Sequence, residues 1–118
     1  MNVIAPNVAA RRGKEFLEMD VLAYSNQEIN EVYIVEVKSH LKEEGIDQML
    51  NTLNQFPKFF PEHQDKRIFG ILAVVDAREN LKKRVLKEGI YLAMIHEDLF
   101  EIAVPKGFKA KSFNWNAC

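Results

Sequence analysis

The chain of 118 residues and 13.7 kDa fits one small domain and excludes two separately cored ones. A 47% hydrophobic, 28% charged composition excludes a disordered or fibrous chain. A net charge of -1 argues against constitutive, tight coating of nucleic acid. The longest apolar stretches, Ile71 to Val75 and Ile90 to Ile95, fall far short of the ~18 residues a membrane-spanning helix needs, and no signal segment opens the chain. One cysteine, Cys118, leaves no disulfide framework, so the expectation is a soluble cytoplasmic protein without membrane partners. Charge is uneven along the chain: residues 1 to 59 carry six basic and nine acidic side chains, residues 60 to 118 ten and eight. An acidic patch beside a basic rim suits a metal site facing a phosphate backbone.

In chain order, Val3 to Ala10 is mildly apolar but broken by Pro6, so it reads as an edge strand leading to a turn at Arg11-Arg12-Gly13. From Glu15 to Tyr24 the residues alternate as in a strand, with Leu17, Met19, Val21 and Ala23 on one face and Phe16, Glu18, Asp20 and Leu22 on the other. A polar turn over Ser25 to Asn30 leads to Val32 to Lys38, rich in β-branched residues, and the two strands form an antiparallel hairpin. Between Leu41 and Phe60, Ile46, Met49, Leu50, Leu53, Phe56 and Phe60 recur every three or four residues, one face of an amphipathic helix that Pro57 bends and Pro61 ends. Arg67 to Val75, with Gly70 inside, reads as a central strand buried on both faces. A second, basic-faced helix spans 77 to 88 and stops at Gly89. Strands at 90 to 95 and 99 to 104 and a polar-aromatic tail from Pro105 follow. The order predicts a mixed α/β sheet, an antiparallel meander followed by β-α-β units, with the helices on one face or both.

Glu18 and Asp20 on the first hairpin strand, and Glu36 and Lys38 on the second, interrupt positions that otherwise take apolar side chains. Each i, i+2 pair projects from one face of its strand. A register that brings those faces together gathers two or three carboxylates and one ammonium, at a burial cost of several kcal/mol per ion unless a cation or partner compensates. Carboxylate oxygens suit Mg²⁺ or Mn²⁺, and a lysine beside such an ion can hold a water molecule.

Asp20, then Val35-Glu36-Val37-Lys38-Ser39 at the end of an apolar strand, then an amphipathic helix, resembles the PD-(D/E)XK nuclease superfamily. The stretch Glu15 to Ala23, the helix end Phe59-Phe60-Pro61-Glu62, the strand around Gly70, the turn Glu88-Gly89-Ile90-Tyr91 and Phe108 to Phe113 look like a bacterial nuclease-like family within it. The resemblance covers about residues 5 to 113. It implies a restriction-endonuclease-like core and a metal-dependent nuclease acting on DNA. Asp20, Glu36 and the Val37 backbone carbonyl would hold one or two Mg²⁺ or Mn²⁺, Lys38 would orient the attacking water, and Gln48 would face the site as an accessory residue. The family's opening helix, which often carries a further glutamate, has no counterpart here. The resemblance therefore implies either that residues 1 to 118 are the C-terminal part of a larger protein or that a homodimer covers the bare sheet, with Glu15 or Glu18 in place of the absent carboxylate.

An ion pair between strands uses the same residue types as a metal site, and the fold also serves non-catalytic interaction or dimerisation modules. His40, His63 and His96 lack ligand spacing and read as surface or capping residues, Lys82-Lys83-Arg84 as the solvated face of a helix, and Phe56, Phe59 and Phe60 as core.

Overall fold

The computed structural model describes residues 3–24, 30–97 and 99–114. Most of the turn expected over Ser25 to Asn30, along with Asp98, Trp115 and Cys118, lies outside them. Six strands and two helices follow one another as β1 (Val3–Arg12), β2 (Glu15–Tyr24), β3 (Glu31–His40), α1 (Glu43–Phe59), a 3₁₀ turn (Pro61–His63), β4 (Arg67–Asp76), α2 (Glu79–Lys87), β5 (Tyr91–His96) and β6 (Leu99–Ile102). They form one mixed sheet in the order β1-β2-β3-β4-β5-β6. The first three strands make an antiparallel meander, β3, β4 and β5 run parallel, and β6 returns antiparallel. This is the expected α/β architecture, compatible with a restriction-endonuclease-like core, and a strand rather than a helix precedes β2.

The crossovers β3-α1-β4 and β4-α2-β5 step the same way across the sheet, so a common right hand places both helices on one face. The apolar face of α1, Ile46, Met49, Leu53 and Phe56, is fully buried there against Ile34, Ile68 and Leu72. Each such side chain contributes about 1.5–3 kcal/mol relative to an exposed one. Gly70 makes the close approach of helix to sheet possible: a Cβ at that position would lie 2.7 Å from Met49 Cε and 2.8 Å from Leu53 Cδ1. Leu81 and Val85 of α2 complete the same core. Gly89, at φ +82°, ends the connection to β5 and lies against Lys111, whose backbone N–H donates to the Gly89 carbonyl at 3.0 Å.

The tail packs more than its composition suggested. The Phe113 N–H donates to the Ile68 carbonyl at 2.8 Å, and its ring is buried in the core. His63, expected in a surface or capping role, is buried as well. Its ring stacks on Phe56 at 5.8 Å between centroids, meets the Tyr24 ring at a tilt of 55° and 4.3 Å, and its Nδ1 lies 2.5 Å from Lys66 Nζ. Burial, and then the Lys66 charge, hold His63 below the usual imidazole range. On the face opposite the helices, Val37, Val75, Phe100 and Ile102 are each about half exposed. Among the described residues no helix is long and apolar enough to cross a membrane.

Candidate functional site

The site begins with a fork in the sheet. β2 and β3 pair only from Tyr24↔Val32 to Val21↔Val35, although both strands continue beyond. One further step of that register sets Asp20 across from Glu36. There the ladder hydrogen bond gives way to a side chain: Asp20 Oδ2 accepts the Val37 backbone N–H at 2.8 Å. In an extended strand the N–H and C=O of one residue project to the same edge, so the Val37 carbonyl also points toward β2.

The fork coincides with two irregularities. Residues Leu17 and Met19 are buried against α1, but the next buried residue of β2 is Leu22 rather than Val21, so the alternation changes phase at Asp20–Val21. The single-face assignment of Leu17, Met19, Val21 and Ala23 is corrected accordingly. Across from Asp20, the paired positions Pro6↔Val21 and Val8↔Met19 flank Asn7, whose φ is +52°. An L-residue reaches that left-handed region at a cost, and asparagine tolerates it better than most. The kink lets the outer part of the β1–β2 hairpin fold over α1 while β3 continues straight.

Between the diverging strands lies a cleft of about 780 Å³, walled by β1 and β2, with α1 along its far side. Asp20, Glu36, Lys38, Glu18 and Gln48 all line it. Glu36 is half-buried, and its carboxyl is pushed up to about 7, first by burial, then by the charge of Asp20 and a hydrogen bond with the Asp20 side chain; Lys38 offsets this slightly. The two carboxylates therefore share one local field. The stem of Lys38 passes the N-terminal turn of α1, its Cε 3.7 Å from where a Gly45 Cβ would stand. Among the described residues Lys38 makes no salt bridge; at the ends of β3 and β4, His40 Nδ1 lies 3.0 Å from Asp76 Oδ2. Glu18 and Gln48 are exposed on opposite walls of the cleft, and Glu15 pairs instead with Lys58 at 2.6 Å. Among the described residues no three acidic, histidine or cysteine side chains gather around a common point. Of the two or three carboxylates the sequence offered, the structure sets Asp20 and Glu36 together.

Two cleft residues were not singled out from sequence. Asn7 follows a proline inside a strand, a placement that signals a backbone break. Phe16 belongs to the same alternating set as Glu18 and Asp20, yet is apolar and half exposed.

No protein-family model and no curated protein matches the sequence. Among solved structures, the chain is similar in fold to a repair endonuclease from Pyrococcus abyssi, with a TM-score of 0.50 and 19% identity over 78% of this chain. The likeness spans 39% of that endonuclease's length.

Proposed function

We propose that the protein is a divalent-metal-dependent nuclease of the PD-(D/E)XK type that hydrolyses phosphodiester bonds in DNA. The observation that carries this reading is the Asp20–Glu36 pair at the fork, with the Glu36 carboxyl raised to about 7 by burial and by its neighbour. Two carboxylates held so close in a cleft favour a cation between them. The donor set fits Mg²⁺ or Mn²⁺, which take one or two carboxylates and fill the remaining positions with water and substrate phosphate. Asp20, Glu36 and the Val37 carbonyl would hold the ion. When bound, it supplies Lewis-acid stabilisation of the phosphate oxygens and a more acidic water.

The chain's own residues do the rest. The Val37 N–H fixes the Asp20 carboxylate by occupying Oδ2, leaving the other oxygen for coordination. Glu36, once deprotonated, completes the pair. Lys38 would donate a hydrogen bond to the attacking water and turn a lone pair toward phosphorus, with Gln48 and Glu18 as accessory contacts on the cleft walls. Lys38→Met is expected to lower cleavage of a labelled DNA oligonucleotide in millimolar Mg²⁺ or Mn²⁺ at least a hundredfold without changing the melting temperature. Undiminished cleavage by that variant, or no cleavage by the wild type, would overturn the reading.

A non-catalytic reading draws on a different feature. Val37, Val75, Phe100 and Ile102 leave apolar surface on the helix-free face, which in a homodimer or interaction module would be covered. Sedimentation at micromolar concentration, comparing wild type with Phe100→Glu, tests it. A wild-type dimer that the substitution dissociates supports it, and a wild-type monomer contradicts it.

A further inference from the structure

The tip of the β1–β2 hairpin carries the run Arg11-Arg12-Gly13-Lys14, which includes three of the six basic residues in the first half of the chain. All four residues are exposed. Directly across the ladder from Arg11 stands Phe16, and the Arg11 guanidinium lies 5.4 Å from the centroid of its ring. Phe16 is 50% exposed and belongs to the wall of the same cleft that holds Asp20 and Glu36. The tip is anchored: Arg12 donates to the Lys58 carbonyl at the end of α1, and Lys58 pairs in turn with Glu15 at 2.6 Å. A phenylalanine half open to water, backed by a guanidinium and flanked by cations on a tethered hairpin, makes a stacking platform beside an electropositive rim.

We propose that Phe16 and Arg11 form a base-stacking platform that receives an unpaired nucleotide, and that the substrate of the cleft is a nucleic-acid strand with a single-stranded segment. The inference rests on the nuclease reading of the same cleft and adds the substrate class to it. Aromatic side chains grip single strands because every unstacked base offers a π-face, whereas bases inside a duplex are already stacked. Arg12 and Lys14 meet the phosphates, and Arg11 holds the ring in place from behind. Phe16 lies four strand residues from Asp20, roughly 13 Å along β2. That span equals about four stacked nucleotides at 3.4 Å each, and fewer if the strand is extended. The platform therefore holds a base a short, fixed number of nucleotides from the bond that the carboxylate pair faces.

Binding measured in EDTA separates this inference from the cleavage reading, because cleavage needs the metal and stacking does not. The probes are a fluorescein-labelled 12-nucleotide single strand and a 12-base-pair hairpin duplex, followed by anisotropy at fixed salt. The wild type is expected to prefer the single strand. Phe16→Leu, which keeps an apolar side chain on the exposed ladder position, should weaken single-strand binding roughly five- to a hundredfold while leaving duplex binding within twofold. Phe16→Trp should restore the affinity, with its fluorescence quenched on adding the single strand. Equal binding by Phe16→Leu and wild type, equal losses on both probes, unquenched fluorescence in the Phe16→Trp variant, or no wild-type binding to either probe would each overturn the platform. Metal-dependent cleavage alongside any of these results would leave the nuclease reading standing by itself.

Discussion

The Asp20 carboxylate occupies the position where the β2–β3 ladder would have made its next hydrogen bond, accepting the Val37 N–H at 2.8 Å. A side chain thus closes the sheet at the point where its strands separate. It also sets Asp20 beside Glu36 in the resulting cleft. The same bond satisfies a backbone donor and positions a carboxylate, so structural and chemical roles coincide in one atom pair.

That coincidence separates two substitutions at Asp20. In Asp20→Asn the amide oxygen still accepts the Val37 N–H and the repulsion with Glu36 is removed, so stability should be unchanged or increased. Asp20→Ala strands the Val37 donor and should cost about 1 kcal/mol. Urea denaturation of both variants at pH 7.5 checks the order. Equal destabilisation by both would mean that the charge, not the hydrogen bond, matters to the fold.

Glu36 gives stability a pH dependence of defined sign. Its folded-state value of about 7 lies above the ordinary 4.5, so the folded protein holds this proton more tightly than the unfolded chain. The corresponding stability is complete below about pH 4.5 and is lost as the pH rises through about 7. Glu36→Gln removes the dependence. Allowing for solvent screening, the variant should exceed wild type by about 1 to 2 kcal/mol at pH 8, with the difference vanishing near pH 4. Denaturant titrations of both proteins at pH 4, 6 and 8 measure it, and a gap that widens toward low pH would reverse the assignment.

Asn7 holds a left-handed backbone opposite Asp20. Asn7→Gly should be neutral or slightly stabilising, whereas Asn7→Val, β-branched at positive φ, should cost about 1–2 kcal/mol. Because Asn7 also lines the cleft, the valine variant should lose divalent-cation affinity along with stability. Melting curves with and without Mn²⁺ report both.

At Gly70 the contact with Met49 and Leu53 leaves no room for a Cβ. Gly70→Val should destabilise by about 1–3 kcal/mol through overpacking. Restoration of part of that loss by Leu53→Ala in the double mutant would locate the strain at α1, and independent, additive losses would place it elsewhere.

The legible parts of the sequence were those with a period. The 3–4 spacing from Ile46 to Phe56 and the near-continuous run around Gly70 identified α1 and β4 because burial there is uniform along the element. Gly89 marked a helix end for a reason local to its own backbone. Strand alternation read through Asp20 failed at Val21 because a period-2 pattern assumes an unbroken pleat, and the pleat changes phase where Asn7 kinks the neighbouring strand. Residue type marked Asp20 and Glu36 as candidates, but the register that sets them across from each other and the fork that opens a cleft beside them depend on how β2 and β3 pair, a property of two strands that neither encodes alone. The burial of His63 was not legible because it depends on Tyr24, which β3 and α1 separate from it in the chain, closing over its ring.

The central claim, that the fork builds a two-carboxylate cation site, is tested most directly by calorimetric titration of Mn²⁺ into wild type, Asp20→Asn and Glu36→Gln at pH 7 in two buffers of different ionisation enthalpy. With Glu36 at about 7, wild type should bind the ion and release roughly half a proton, falling toward none at pH 8.5. Each variant should bind at least tenfold more weakly, and Glu36→Gln should release no proton. Equal affinity in all three proteins, or no wild-type binding at millimolar Mn²⁺, would contradict the account.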